Sequence, residues 1–117
     1  MSDVAYLLEM TIADGRQAEF EKLANGYAEA VKAGENGTRE YQWWLASDGS
    51  RCLLKETFDS SESLLQHLAN VGPSLPELLA IAPFTRLEVF GDVSADARTA
   101  LDGLNAVYFS HLVGFQR

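Results

Sequence analysis

Two ionisable side chains within one short stretch, Glu56 and His67, are of the types that proton transfer requires. The stretch Lys55-Glu56-Thr57-Phe58-Asp59-Ser60-Ser61-Glu62-Ser63-Leu64-Leu65-Gln66-His67-Leu68-Ala69-Asn70-Val71 reads as a strand end, a sharp turn, a capped helix start and a helix. An imidazole titrates near neutrality, so His67 suits the removal of a proton from an acidic phenol. At about 100° per residue, His67 falls at the edge of the Leu64/Leu68 stripe and next to Val71. It is therefore either a base facing a ligand or a hydrogen-bonded side chain between helix and sheet. Glu56 shares a strand face with Cys52, Leu54 and Phe58, which predicts a partly buried carboxylate. Such a group needs a partner, because an unpaired buried charge costs several kcal/mol. His67 or Arg86 could supply it, as orienting contacts of a site or as internal bonds of the fold. Arg86 suits an anionic oxygen or, equally, a cross-strand ion pair with a glutamate.

Around these groups the aromatic side chains Tyr6, Tyr41, Trp43, Trp44 and Phe58 would stack on a flat aromatic ligand. The same side chains would serve a dimer core. His111, near the end of the chain, has the weaker claim to chemistry. Two histidines on separate elements, without a facial set of carboxylates, predict no metal site. The single cysteine, Cys52, excludes an intramolecular disulfide and reads as a small buried hydrophobe.

The elements that must position these groups follow from periodicity. Val4 to Ile12 is apolar on both faces and predicts a central strand. Asp14 with Gln17 has capping-box spacing, and Phe20, Leu23, Ala24, Tyr27 and Val31 then form one helical stripe. Gly34-Glu35-Asn36-Gly37 ends that helix, with glycines suited to a helix C-terminus. Thr38–Ala46 alternates as a strand, Asp48-Gly49 marks a tight hairpin, and Arg51–Phe58 returns antiparallel. Asp59 or Ser60 caps the second helix, which Gly72-Pro73 breaks; Pro76 opens a short helix with Leu78, Leu79 and Ile81. Phe84–Val93 predicts a fourth strand, Ser94 caps a third main helix, and Val107–Phe115 a last strand.

At 117 residues the chain predicts one domain, 1–117, with a core at 4–93 and a helix-strand extension at 94–117. Its 47% apolar and 22% charged residues are those of a chain that folds on its own. A net charge of −8 with only nine Lys and Arg argues against nucleic acid or an anionic membrane as partner. No basic leader or membrane-length apolar run is visible, so a cytoplasmic protein is expected.

Strand, helix, hairpin, helix, strand is the ferredoxin-like βαββαβ order, an α+β fold with both main helices on one face of an antiparallel sheet. The uncovered face is expected to carry large apolar and aromatic side chains and to need a partner or a ligand. Glu56-x-Phe58-x-Ser60, then His67, a Pro-containing helix and Phe84-Thr85-Arg86 resemble the antibiotic biosynthesis monooxygenase family of dimeric α+β barrels over residues 4–93. The resemblance implies a homodimer whose two sheets close a barrel, and a cofactor-independent oxygenase acting on a small aromatic such as a quinol or an anthrone. His67 would be the base, and Glu56 or Arg86 would orient. The haem-degrading branch has an asparagine on the first strand; Val4–Ile12 has none and Phe stands at 58, so the resemblance does not extend to haem. A non-catalytic dimeric barrel that binds a small apolar ligand or acts as an interaction module is the alternative. An isomerase or decarboxylase on the same scaffold is a third reading, because fold alone does not choose a reaction. The 94–117 extension is expected to cross to the partner of the dimer.

Overall fold

A computed structural model of the chain describes residues 3–117. The elements are β1 (Val4–Thr11), α1 (Gln17–Gly34), β2 (Thr38–Leu45), β3 (Arg51–Phe58), α2 (Ser61–Val71), a 3-10 turn (Gly72–Ser74), α3 (Leu75–Ile81), β4 (Phe84–Phe90), α4 (Ala95–Asp102) and β5 (Val107–Phe109). The strands form one sheet in the order β2-β3-β1-β4-β5, with β1 central. The pairs among β1 to β4 are antiparallel, whereas β5 joins β4 in parallel. This is the ferredoxin-like α+β fold, with a helix and a strand appended. No helix among the described residues is long and apolar enough to cross a membrane.

Strand alternation sets the two faces of the sheet. Val4, Tyr6, Leu8 and Met10 of β1, Cys52, Leu54, Glu56 and Phe58 of β3, and Leu87 and Val89 of β4 are buried on one face. The helices cover that face with Phe20 and Val31 of α1, Leu64 and His67 of α2, Leu78 and Ile81 of α3, and Ala97 and Leu101 of α4. Two caps fix where the short helices begin: Ser60 accepts from the Ser63 N–H at 3.1 Å, and Ser94 from the Ala97 N–H at 3.1 Å. The expected Asp14–Gln17 capping box does not form. The Arg16 N–H bonds the Ala13 carbonyl and Gly15 takes φ +76°, so α1 starts only at Gln17, whose amide turns to Glu21 instead.

The opposite face is less apolar than expected. Glu9 pairs with Arg51 at 2.7 Å and Arg86 at 3.6 Å, and Lys55 lies 3.8 Å from Glu40, among Leu7, Leu53 and Trp44. Most of the large aromatic side chains fall instead on the helix-covered side of the alternation. The strand ends also differ from the spacing-based expectation. Gly91, at φ +102°, turns the chain after Phe90, and Phe90↔Phe109 is the last pair β4 offers, so β5 has three residues rather than reaching Phe115.

One glycine is required by a close approach. A Cβ at Gly37 would collide with the Ser63 side chain in the α2 cap, while the Gly37 carbonyl accepts from the Asp59 N–H at 2.9 Å. Gly37→Ala is expected to lower stability by about 1–3 kcal/mol, the usual cost of overpacking. Urea denaturation checks it, and an unchanged midpoint would contradict the packing described.

Candidate functional site

The site lies where three elements converge between helices and sheet. Glu56 stands near the end of β3, directly across from Tyr6 of β1 and Tyr41 of β2. His67 descends from α2, and its Nε2 lies 2.8 Å from Glu56 Oε1. Its other ring nitrogen, Nδ1, lies 2.8 Å from Oε1 of Glu35, the residue at which α1 has just ended. Glu35 is itself held: the Thr38 hydroxyl donates to Oε1 at 2.7 Å and the Asn70 amide to Oε2 at 3.1 Å. The three side chains are 5%, 2% and 1% exposed for Glu35, His67 and Glu56, so this is a dry chain of carboxylate, imidazole and carboxylate.

The two ends of the chain differ. The Glu35–Nδ1 contact is a well-aligned hydrogen bond, whereas the Glu56–Nε2 contact is short but out of line, leaving Glu56 Oε1 without an aligned partner. A short contact without N–H alignment is held by charge more than by a full hydrogen bond. Burial pushes the Glu56 carboxyl up, against the opposing pull of His67 and a Tyr6 hydrogen bond. For His67, burial alone would lower the imidazole, but the attraction of Glu56 and Glu35 together outweighs it and the net direction is upward. Burial first, then the Glu56 charge, raises both Tyr6 and Tyr41, which remain neutral donors. The cluster therefore binds protons more tightly than its parts do in water and titrates as a unit.

Glu35 fixes the tautomer. With Nδ1–H donated to Glu35, the basic position of the ring is Nε2, aimed at Glu56, which is the positioning logic of a carboxylate behind a catalytic histidine. A cavity of about 40 Å³ adjoins this end, lined by Glu56, His67 and Tyr6 on the polar side and by leucines of α2 and α3, Phe84 and Leu104 on the apolar side. That volume holds water rather than a substrate, since ligand sites usually run to several hundred Å³. Among the described residues, no group of three or more His, Cys, Asp or Glu is arranged to hold a metal ion.

The structure gathers some of the sequence-derived candidates and separates others. His67, Glu56 and Tyr6 meet at the cavity. Tyr41 and Phe58 pack on the imidazole, with ring centroids 5.5 and 5.3 Å away, and form the wall behind it. Trp43 lies further along the helix-covered face, stacked on Tyr27 and edge-on to Phe20. Trp44 is 59% exposed, and Arg86 sits between Glu9 and Glu88 on the open sheet face, 3.6 Å from each, away from His67. His111 is exposed beyond β5. His67 points into its own chain's helix-sheet layer and bonds carboxylates, so it is neither on the face a second sheet would cover nor bonded to backbone. Glu35 is the residue that the sequence did not single out. A carboxylate between two glycines at a helix end reads as a solvated turn, and only the return of α2 over that turn buries it.

The model of the family described as antibiotic biosynthesis monooxygenase matches residues 4–74, more than half of the chain. The chain belongs to that family. Among solved structures, MupZ from Pseudomonas fluorescens shares 20% identity with a TM-score of 0.87, covering 100% of this chain and 96% of its own. SnoaB from Streptomyces nogalater, described as a cofactor-independent oxygenase, shares 18% identity with a TM-score of 0.67, covering 81% and 97%. Rv0793 from Mycobacterium tuberculosis shares 18% identity with a TM-score of 0.66, covering 80% and 97%. No curated protein matches the sequence. These likenesses establish the fold. The site of this family member, with Glu35, His67 and Glu56 in line, is read from its own residues.

Proposed function

We propose that the protein is a cofactor-independent monooxygenase that oxygenates a small hydroxylated aromatic of the quinol or anthrone type. The observation that carries this reading is the buried Glu35–His67–Glu56 chain, whose Glu56 and His67 both line an apolar cavity. An apolar ligand with one acidic hydroxyl would set that hydroxyl against the carboxylate–imidazole pair. Family membership and the description of SnoaB support the same class of reaction.

The substrate hydroxyl gives its proton to the Glu56–His67 pair, and Glu35 stabilises the imidazolium that results. The electron-rich anion left behind transfers one electron to dioxygen. Recombination forms a carbon–oxygen bond and a peroxide. For an anthrone, the peroxide then loses water, with the stored proton returned to the departing hydroxide, so one dioxygen yields a ring carbonyl and one water. Oxygen uptake with a dihydroxyanthrone and with a hydroquinone tests the proposal. Uptake should depend on His67 and Glu56; equal rates for wild type and His67→Ala would sink it and favour a binding module.

The working unit we propose is a homodimer formed through the open sheet face. Three large apolar residues of the segment after β5, Leu112, Val113 and Phe115, are 91%, 83% and 83% exposed, and such side chains call for cover. Light scattering at micromolar concentration should give a dimer. Ending the chain after Phe109 should weaken association by about 10- to 100-fold, given about 1.5–3 kcal/mol for burying one such side chain. A monomer, or an unchanged dissociation constant, would contradict the assembly.

A further inference from the structure

The cavity beside Glu56 and His67 is too small for a substrate, and its walls indicate where it widens. Tyr6, Leu8, Leu78 and Leu87 are buried in the core, and α2 is tied down through the His67–Glu35 bond. Leu68, Val71, Leu75, Phe84 and Leu104 are half-buried, and the first four belong to helices or a strand whereas Leu104 does not. Leu104 stands in the turn that follows α4. The turn rests on two backbone bonds, Leu104 N–H to the Leu101 carbonyl at 2.9 Å and Asn105 N–H to the Asp102 carbonyl at 3.2 Å. Asn105 holds φ at 59°, the left-handed conformation that asparagine adopts readily where a helix ends. The part of the outer wall that lies outside regular structure is thus one leucine on a lightly bonded turn, carried by the extension beyond the matched residues 4–74.

We infer that Leu104 is the gate of the His67 site and sets the size of ligand it admits, moving out with the Gly103–Asn105 turn to widen the cavity and its mouth. The inference rests on the cavity being the ligand site. An aromatic of two or three rings exceeds 40 Å³ several-fold, so the wall must move before binding. Apparent affinity is then the intrinsic affinity reduced by the fraction of molecules that are open. Shortening the side chain raises that fraction.

Two readouts test it, and the first needs no ligand. The His67 ring N–H should exchange with water about tenfold faster in Leu104→Ala, while the backbone amides of Leu101 and Val89, which report general loosening, stay unchanged. Unchanged His67 exchange, or acceleration of all three groups together, overturns the gate. In the second, calorimetric titration with naphthol should show binding about tenfold tighter to Leu104→Ala than to wild type, with Leu104→Met between them. Adding Glu56→Gln should abolish the gain. Equal, Glu56-dependent affinity in both forms overturns the gate and leaves the ligand reading intact. Faster His67 exchange without naphthol binding to either form upholds the gate and removes the ligand reading.

Discussion

His67→Ala is expected to destabilise the protein by about 3–5 kcal/mol at neutral pH, the usual cost of removing one partner from a buried ionic contact. Glu35 and Glu56 both face His67 with almost no solvent, so its removal leaves two carboxylates in one dry layer. At about 1–3 kcal/mol per molar urea, the midpoint should fall by about 2 M. The pH dependence gives the loss its signature. In the wild type, Glu56 and His67 are both raised on folding, from ordinary values of 4.5 and 6.5. A raised group adds stability that is complete below its unfolded value and lost as pH rises through its folded value. Wild-type stability should therefore decline as pH rises above the ordinary values of 4.5 for Glu56 and 6.5 for His67. In His67→Ala the carboxylates lack their cation, so the deficit should shrink as pH falls toward 5 and they protonate. A deficit under about 1 kcal/mol, or one that is constant with pH, would show that the cluster is solvated in solution.

Glu56→Gln is expected to separate chemistry from stability. The amide keeps the carboxyl's shape and removes a buried charge, so the fold should survive with stability equal to or above wild type. His67 remains at the cavity but without the carboxylate that shares the proton, and turnover of a dihydroxyanthrone should fall by about 10²–10⁴-fold. The wild-type rate should rise with pH above the ordinary imidazole value of 6.5, because the base must shed a proton that the cluster holds more tightly than free imidazole does. Steady-state oxygen uptake across pH checks both. A Glu56→Gln enzyme that retains most of its rate would move the base to another residue.

The sequence carried the fold and half of the site for physical reasons that can be named. Alternation in Arg51–Phe58 put Glu56 on one face with Cys52, Leu54 and Phe58, and helical spacing put His67 at the edge of the apolar stripe of α2; both are local signals. Capping residues Ser60 and Ser94 marked their helices because a hydroxyl satisfies the first free amides wherever it occurs. Asp14 failed as a cap because a turn at Gly15 competed for the same amides. Glu35 was invisible because its burial depends on Asn70 and Thr38 closing over it, contacts that no spacing announces. Arg86 took the cross-strand ion pair with a glutamate rather than a place at the site, and Trp44 lies on the open face, because period two gives two faces without saying which one the helices cover. The cavity, and the part Leu104 plays in it, depend on a turn far from His67 in sequence.

The claim on which the rest depends is that the Glu35–His67–Glu56 chain takes a proton from a bound hydroxyl. Mixing the protein with a dihydroxyanthrone under anaerobic conditions, and recording the absorbance spectrum of the bound compound, tests it directly. The account predicts that the bound aromatic appears as its anion at a pH where the free compound is neutral, and that the anion band is lost in Glu56→Gln. A bound aromatic that stays neutral in the wild type, or an anion band that survives in Glu56→Gln, would contradict it.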